Sequence, residues 1–148
     1  MSLEAKIITD LKAAMKAKDK VALRGIRAIK SQIILAKTDG SGKELDEAAE
    51  IKMLQKMVKQ RKDSISIYET QNRPELAATE KEEVEVIERY LPQQMGEAEL
   101  TTFLQGIIAQ TGATSMKDMG KIMGMASKQL GGKADGKTIS GIVKKLLS

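Results

Sequence analysis

The 148-residue chain has no cysteine, no histidine and no tryptophan. Without cysteine there are no disulfides and no thiolate metal sites. Without histidine the commonest general base and the commonest metal ligand are both missing. Aromatic residues make up 2% of the chain: Tyr68, Tyr90 and Phe103. Single-stranded nucleic acid is held largely on stacked aromatic rings, so that binding mode is disfavoured. No apolar run approaches the roughly 20 residues of a membrane span. Glu4, Lys6 and Asp10 interrupt the N-terminal apolar residues and break any signal-peptide core. These absences predict a cytoplasmic protein with no membrane association.

What is present is charge, unevenly spread. Lys and Arg number 25 against 20 Asp and Glu, a net +5 with a sequence pI near 9.3. A basic excess favours polyanions over acidic proteins as partners. Residues 1–40 hold nine basic and four acidic side chains, residues 41–92 nine and twelve, and residues 93–148 seven and four. The acidic middle disfavours a polyanion wrapped around the whole molecule and leaves the two ends as candidates.

The apolar residues recur at helical steps throughout, and no segment alternates like a strand. Leu3, Ile7, Leu11 and Met15 predict an amphipathic helix over residues 3–17. Asp19 is placed to cap a second helix running to about Thr38, with Ala22, Ile26, Ile29, Ile33 and Ala36 on its apolar face. Asp39-Gly40-Ser41-Gly42 breaks the pattern and predicts a mobile loop. Ile51, Leu54, Val58, Arg61, Ile65 and Tyr68 form a heptad-like seam with one charged member in a long third helix, about Leu45 to Gln71. Pro74 suits the first turn of a fourth helix, carried by Leu76, Glu80, Val84, Ile87 and Leu91 and stopped by Leu91-Pro92. The short turn between the third and fourth helices predicts an antiparallel hairpin. Pro92-Gln93-Gln94-Met95-Gly96 reads as a domain boundary, followed by a fifth helix burying Leu100, Phe103, Leu104, Ile107 and Ile108 and ended by Gly112.

The last third is the most distinctive stretch. Met119, Ile122, Met123, Ala126 and Leu130 predict one short helix, and Ile139, Ile142, Val143 and Leu146 another. A glycine-rich corner, Gly131-Gly132-Lys133-Ala134-Asp135-Gly136, joins them. Ser115 and Asp118 suggest a capping box for the first, and Asp135 an N-cap for the second. From Ala113 onward seven lysines face two aspartates, a local +5. The expected fold is therefore all-α: an N-terminal helical domain, residues 1–92, holding the long hairpin, and a C-terminal three-helix bundle, residues 97–148.

Several motifs admit two readings. Gly131 to Thr138 formally satisfies the phosphate-loop pattern, but that loop works only after a buried strand, and the preceding residues have helical spacing. The plainer reading is a helix–corner–helix, whose second helix start offers free N–H groups between Lys133 and Lys137 for a backbone phosphate. Met116, Met119, Met123 and Met125 suit either an adaptable surface or a core, and core packing is preferred. Gly120 and Gly124 share a helix side, where a partner or a neighbouring helix would approach closely; intramolecular packing is the default. Arg24, Arg27 and Lys30 form either a phosphate-contacting ridge or a solvated face. Glu82, Glu83, Glu85 and Glu88 fit a solvated face paired with lysines better than a metal site. No catalytic residue and no cofactor or metal site is expected, since serine here has no evident activating base.

Lys121-Ile122-Met123-Gly124, then Gly132-Lys133-Ala134-Asp135-Gly136 and a closing Ile-Val helix, resemble the C-terminal signature of the YqeY family, also called GatB/YqeY. Leu11 to Lys20, Lys59 to Ser64, Asn72 to Leu76 and Arg89 to Gln94 match as well, so the resemblance covers essentially the whole chain. It departs at Gly96, where a capping serine is more typical, which leaves the start of the fifth helix open. The family resembles the C-terminal helical and tail domains of the B subunit of glutamyl/aspartyl-tRNA amidotransferase, whose tail is associated with tRNA recognition. The resemblance implies a tRNA-binding module. It also implies a link to carbon–nitrogen ligase chemistry with glutamine as amido-N-donor, whose catalytic parts have no counterpart in this chain. The expected site comprises Lys117, Gly120, Lys121, Gly124, Lys128, Gly132, Lys133, Gly136 and Lys137, facing the tRNA phosphate backbone. An amidotransferase or an aminoacyl-tRNA synthetase is the expected protein partner. An accessory amidotransferase factor and a protein-interaction adaptor are the alternative functions.

Overall fold

The computed structural model describes residues 2–40 and 44–148. Among them the chain is all-α, with seven helices: α1 (Leu3–Ala17), α2 (Lys20–Lys37), α3 (Glu47–Thr70), α4 (Pro74–Glu88), α5 (Glu97–Thr111), α6 (Met119–Leu130) and α7 (Gly136–Leu147). A single 3-10 turn, Met116–Asp118, leads into α6. The contacts divide into two compact units, Met1–Leu91 and Pro92–Ser148. Ser41 and Gly42 of the expected loop lie outside the described residues.

In the first unit the helix starts follow capping chemistry. The Ser2, Asp19 and Asp46 side chains accept the N–H groups of Ala5, Ala22 and Ala49, satisfying donors that a helix start leaves unpaired. Leu3, Ile7, Ile26, Ile29, Ile33, Leu54, Val58, Val84 and Ile87 are buried in one core. Two details depart from periodicity. On α1 Ala14 is buried and Met15 is 55% exposed, so the apolar stripe ends one residue early. On α3 Met57 joins Leu54 and Val58 in the core, while Ile51, Ile65 and Tyr68 are only half-buried.

Gly25 marks where α2 meets α4. A Cβ built there would lie 2.6 Å from both Cβ and Cγ1 of Val86. The two helices are thus held close by a missing side chain.

The charged member of the α3 seam is also explained. Arg61 Nε lies 3.1 Å from Glu83 Oε2, and its Nη1 donates to the Met57 carbonyl at 3.2 Å. Glu83 is approached from α2 as well, by Arg24 Nε at 3.3 Å, and Arg24 Nη2 donates to Glu82 at 2.6 Å. One half-buried carboxylate thereby joins three helices. The expectation of a solvated glutamate face paired with lysines is corrected at Glu82 and Glu83, whose partners are arginines of other helices. The basic ridge on α2 is correspondingly neutralised at Arg24.

In the second unit Leu100, Leu104 and Ile107 of α5, Ile122, Ala126 and Leu130 of α6, and Ile139, Ile142, Val143 and Leu147 of α7 form a separate core. Helix α5 begins at Glu97 although Gly96 offers no side-chain cap. Glu97 and Glu99 in its first turn supply negative charge where the helix dipole favours it. Gly112 ends it in the left-handed conformation, φ +70°.

Candidate nucleic-acid interface

The predicted capping box before α6 does not form. Ser115 makes no side-chain cap bond, whereas Asp118 Oδ2 accepts from the Thr114 N–H at 3.2 Å. The chain enters α6 through the 3-10 turn, so serine is not positioned as a helical N-cap. Lys117 lies on that turn and is exposed.

Helix α6 then separates its faces sharply. Ile122, Ala126 and Leu130 are buried, with Met119 and Met123 packed beside them as expected for core methionines. Gly120, Lys121, Gly124 and Lys128 are all exposed, and their three- and four-residue steps place them on one side. A Cβ at Gly120 or Gly124 would have nothing within 4 Å. The expectation of close intramolecular packing at these glycines is therefore overturned. The fold does not need them small.

The corner needs its glycines for a different reason. Gly131 and Gly132 have φ of +53° and +88°, a region in which side chains are strained. Gly132 thus serves the backbone turn. Lys133 follows, exposed, with its N–H donating to the Leu130 carbonyl at 3.0 Å.

At the start of α7, Asp135 accepts from the Thr138 N–H at 2.7 Å. This carboxylate occupies the helix start, so the free N–H groups expected there for a phosphate are partly taken and partly shielded by negative charge. Gly136 and Lys137 are exposed in the first turn, and a Cβ at Gly136 meets nothing within 4 Å. The outer side of α7 repeats the pattern of α6: Lys137, Gly141, Lys144 and Lys145 are exposed, with open space at Gly141.

The nine expected residues thus fall in three places: an outward face of α6 with its leading turn, the corner, and the first turn of α7. Lys144, Lys145 and Gly141 lie beyond the expected set. Their signal was present, since a lysine–glycine–lysine spacing on the side opposite Ile139, Ile142 and Val143 is readable from periodicity alone. Among the described residues, none of the seven lysines from Lys117 to Lys145 takes part in a recorded salt bridge, while Arg24, Lys37, Lys59, Arg61, Lys62, Arg73 and Lys81 of the first unit all do. The positive charge of the second unit is thus exposed to solvent.

Outside this region, Tyr90 donates its hydroxyl to Asp10 Oδ2 at 2.5 Å. Burial, then the Asp10 carboxylate, pushes the Tyr90 phenol well above its usual pKa. At the start of α4, Arg73 Nε donates to Glu75 at 2.6 Å and holds that carboxyl below the usual range.

The chain is similar to several fungal proteins named "Altered inheritance of mitochondria protein 41, mitochondrial". It is 37% identical over 108 residues to the one from Lachancea thermotolerans, covering 72% of this chain and 58% of that protein. It is 37% identical over 128 residues to that of Meyerozyma guilliermondii, covering 82% and 65%. The Vanderwaltozyma polyspora protein is 35% identical over 117 residues, covering 74% and 63%. The chain thus spans a little under two thirds of the length of these relatives.

Their names also correct the cytoplasmic expectation, because these relatives are called mitochondrial. That expectation rested on missing cysteines and missing apolar spans, which describe aqueous compartments in general and do not tell one from another. No helix among the described residues is long and apolar enough to cross a membrane. A family model for Yqey-like protein matches residues 4–147, and the chain belongs to that family, YqeY.

Proposed function

We propose that this chain is a non-catalytic module that grips the folded shape of tRNA through its phosphate backbone. The observation that carries the reading is the set of seven exposed lysines on α6 with its leading turn, the corner and α7, none of which lies in a salt bridge among the described residues. Beside them Gly120, Gly124, Gly136 and Gly141 are open to a partner's approach. Each glycine inside a helix costs about 1 kcal/mol relative to alanine. Small, flat ground between cations suits a bulky, charged backbone. Such contacts position an RNA without reading its sequence.

In this reading the second unit is a tail-like three-helix bundle and the first unit carries an antiparallel α3–α4 hairpin. The hairpin is supported by Glu69 pairing with Lys81 and Lys62 with Glu88, so that partners move apart in opposite directions along the chain. The test is a filter-binding titration with tRNA. Lys133→Glu combined with Lys137→Glu should weaken binding at least tenfold, whereas Lys12→Glu with Lys16→Glu on α1 should change it little. Equal affinity for the first pair and the unaltered chain contradicts the site.

A second reading, an accessory factor for a glutamine-dependent amidotransferase or a protein adaptor, is favoured by one feature of the first unit. Ile8, Ile34, Leu35 and Ile67 are exposed there. Copurification of a catalytic subunit that depends on Leu35, with no RNA recovered, would select it.

A further inference from the structure

We propose that Gln94 is a positioning residue that sets Lys133 for contact with an RNA phosphate; this rests on the tRNA-binding reading above. In sequence, residues 92–96 read as a boundary. In the structure they strap the basic corner of their own unit.

The Gln94 side-chain amide donates to the Pro92 carbonyl at 2.8 Å and to the Gly132 carbonyl at 2.9 Å. Both neighbours are acceptors, so the orientation of the amide is fixed: only its NH2 group can face them. The next residue continues the strap, with the Met95 N–H donating to the Lys133 carbonyl at 2.9 Å. On its other side the Lys133 N–H donates to the Leu130 carbonyl at 3.0 Å. Lys133 therefore has both backbone groups engaged and the preceding carbonyl held by Gln94. Its own side chain remains exposed and makes no salt bridge among the described residues.

The consequence follows from the glycines. Gly131 and Gly132 turn the chain with positive φ, and glycine has the widest conformational freedom of any residue. Left alone, such a corner would spread the lysine over many positions, and binding would have to order it. Bonds made before RNA arrives lower that ordering cost. Gln94 is exposed, so a solvated side chain is being spent on backbone carbonyls where water could serve.

A double-mutant cycle read by tRNA binding tests this. Bulk tRNA is titrated against the unaltered chain, Gln94→Ala, Lys133→Ala and the double variant. Active fractions are fixed by stoichiometric titration, so that partial unfolding does not pass for lower affinity. Gln94→Ala should weaken binding about fivefold, the size of one net hydrogen bond, and should have no further effect once Lys133 is alanine. Gln94→Glu, which keeps the length but sets a carboxylate against two carbonyls, should be at least as weak. Additive effects of Gln94→Ala and Lys133→Ala would overturn the proposal, as would Gln94→Ala binding like the unaltered chain while Lys133→Ala binds weakly. If the unaltered chain and Lys133→Ala bind tRNA alike, the proposal is overturned because Lys133 makes no contact; if neither binds, the tRNA-binding reading itself fails.

Discussion

At the scale of single residues, two positions carry sharp expectations. Gly25 has no room for a methyl group, because Val86 stands 2.6 Å from where it would go. Gly25→Ala should therefore destabilise the chain by about 1–3 kcal/mol, the usual cost of overpacking, although alanine favours helix. A denaturant titration reads this directly, and Val86→Ala in the same chain should restore part of the loss. Tyr90 gives a pH signature. Its ordinary pKa is 10.0, and burial together with Asp10 raises it in the folded state. Above pH 10 the unfolded chain releases the phenolic proton while the folded chain keeps it, so stability falls as pH rises further. Below that value the contribution is constant. Tyr90→Phe should cost about 1 kcal/mol near neutrality and flatten the alkaline decline, as followed by thermal melts between pH 8 and 11. Neither position was legible in the sequence. Gly25 looks like Gly120 or Gly124 until the neighbouring helix is seen, and Tyr90 lies 80 residues from its acceptor.

At the scale of elements, the helical period carried most of the information. Ile7, Ile26, Ile29, Leu104, Ile122 and Val143 are buried where their spacing put them. Caps at Asp19 and Asp135 formed as their sequence positions suggested. What the period could not resolve is which side chain closes a face or which charges meet across helices. Ala14 in place of Met15 is one case. Glu83 is another, since four glutamates of α4 look equivalent and only that one faces Arg24 and Arg61 together. Glu83→Ala would leave two guanidinium groups facing a partly buried gap and should cost about 1–3 kcal/mol, more than Glu85→Ala, by urea denaturation. Helix α6 carries an opposite prediction. Gly120→Ala and Gly124→Ala meet nothing and should each stabilise the chain by about 0.5–1 kcal/mol. If RNA approaches that face, both should weaken tRNA binding. A variant that is more stable and binds less tightly would separate the demands of the fold from those of the partner.

At the scale of the molecule, the distribution of charge decides the account. The chain's formal excess is +5. Among the described residues, seven cations of the first unit lie in ion pairs, while none of the second unit's seven lysines does. The count of lysines is legible in the sequence, but their pairing is not, since it depends on which carboxylates share their surface. The measurement that bears most directly on this is the salt dependence of tRNA binding. If three or four of these lysines neutralise phosphates, log K should fall linearly with log salt, with a slope of about −2 to −4. Replacing Lys133 and Lys137 by glutamate should make that slope shallower by about 1 to 2. A slope that is unchanged by the replacement, or an unaltered chain that shows no saturable binding to tRNA at low salt, would contradict the account.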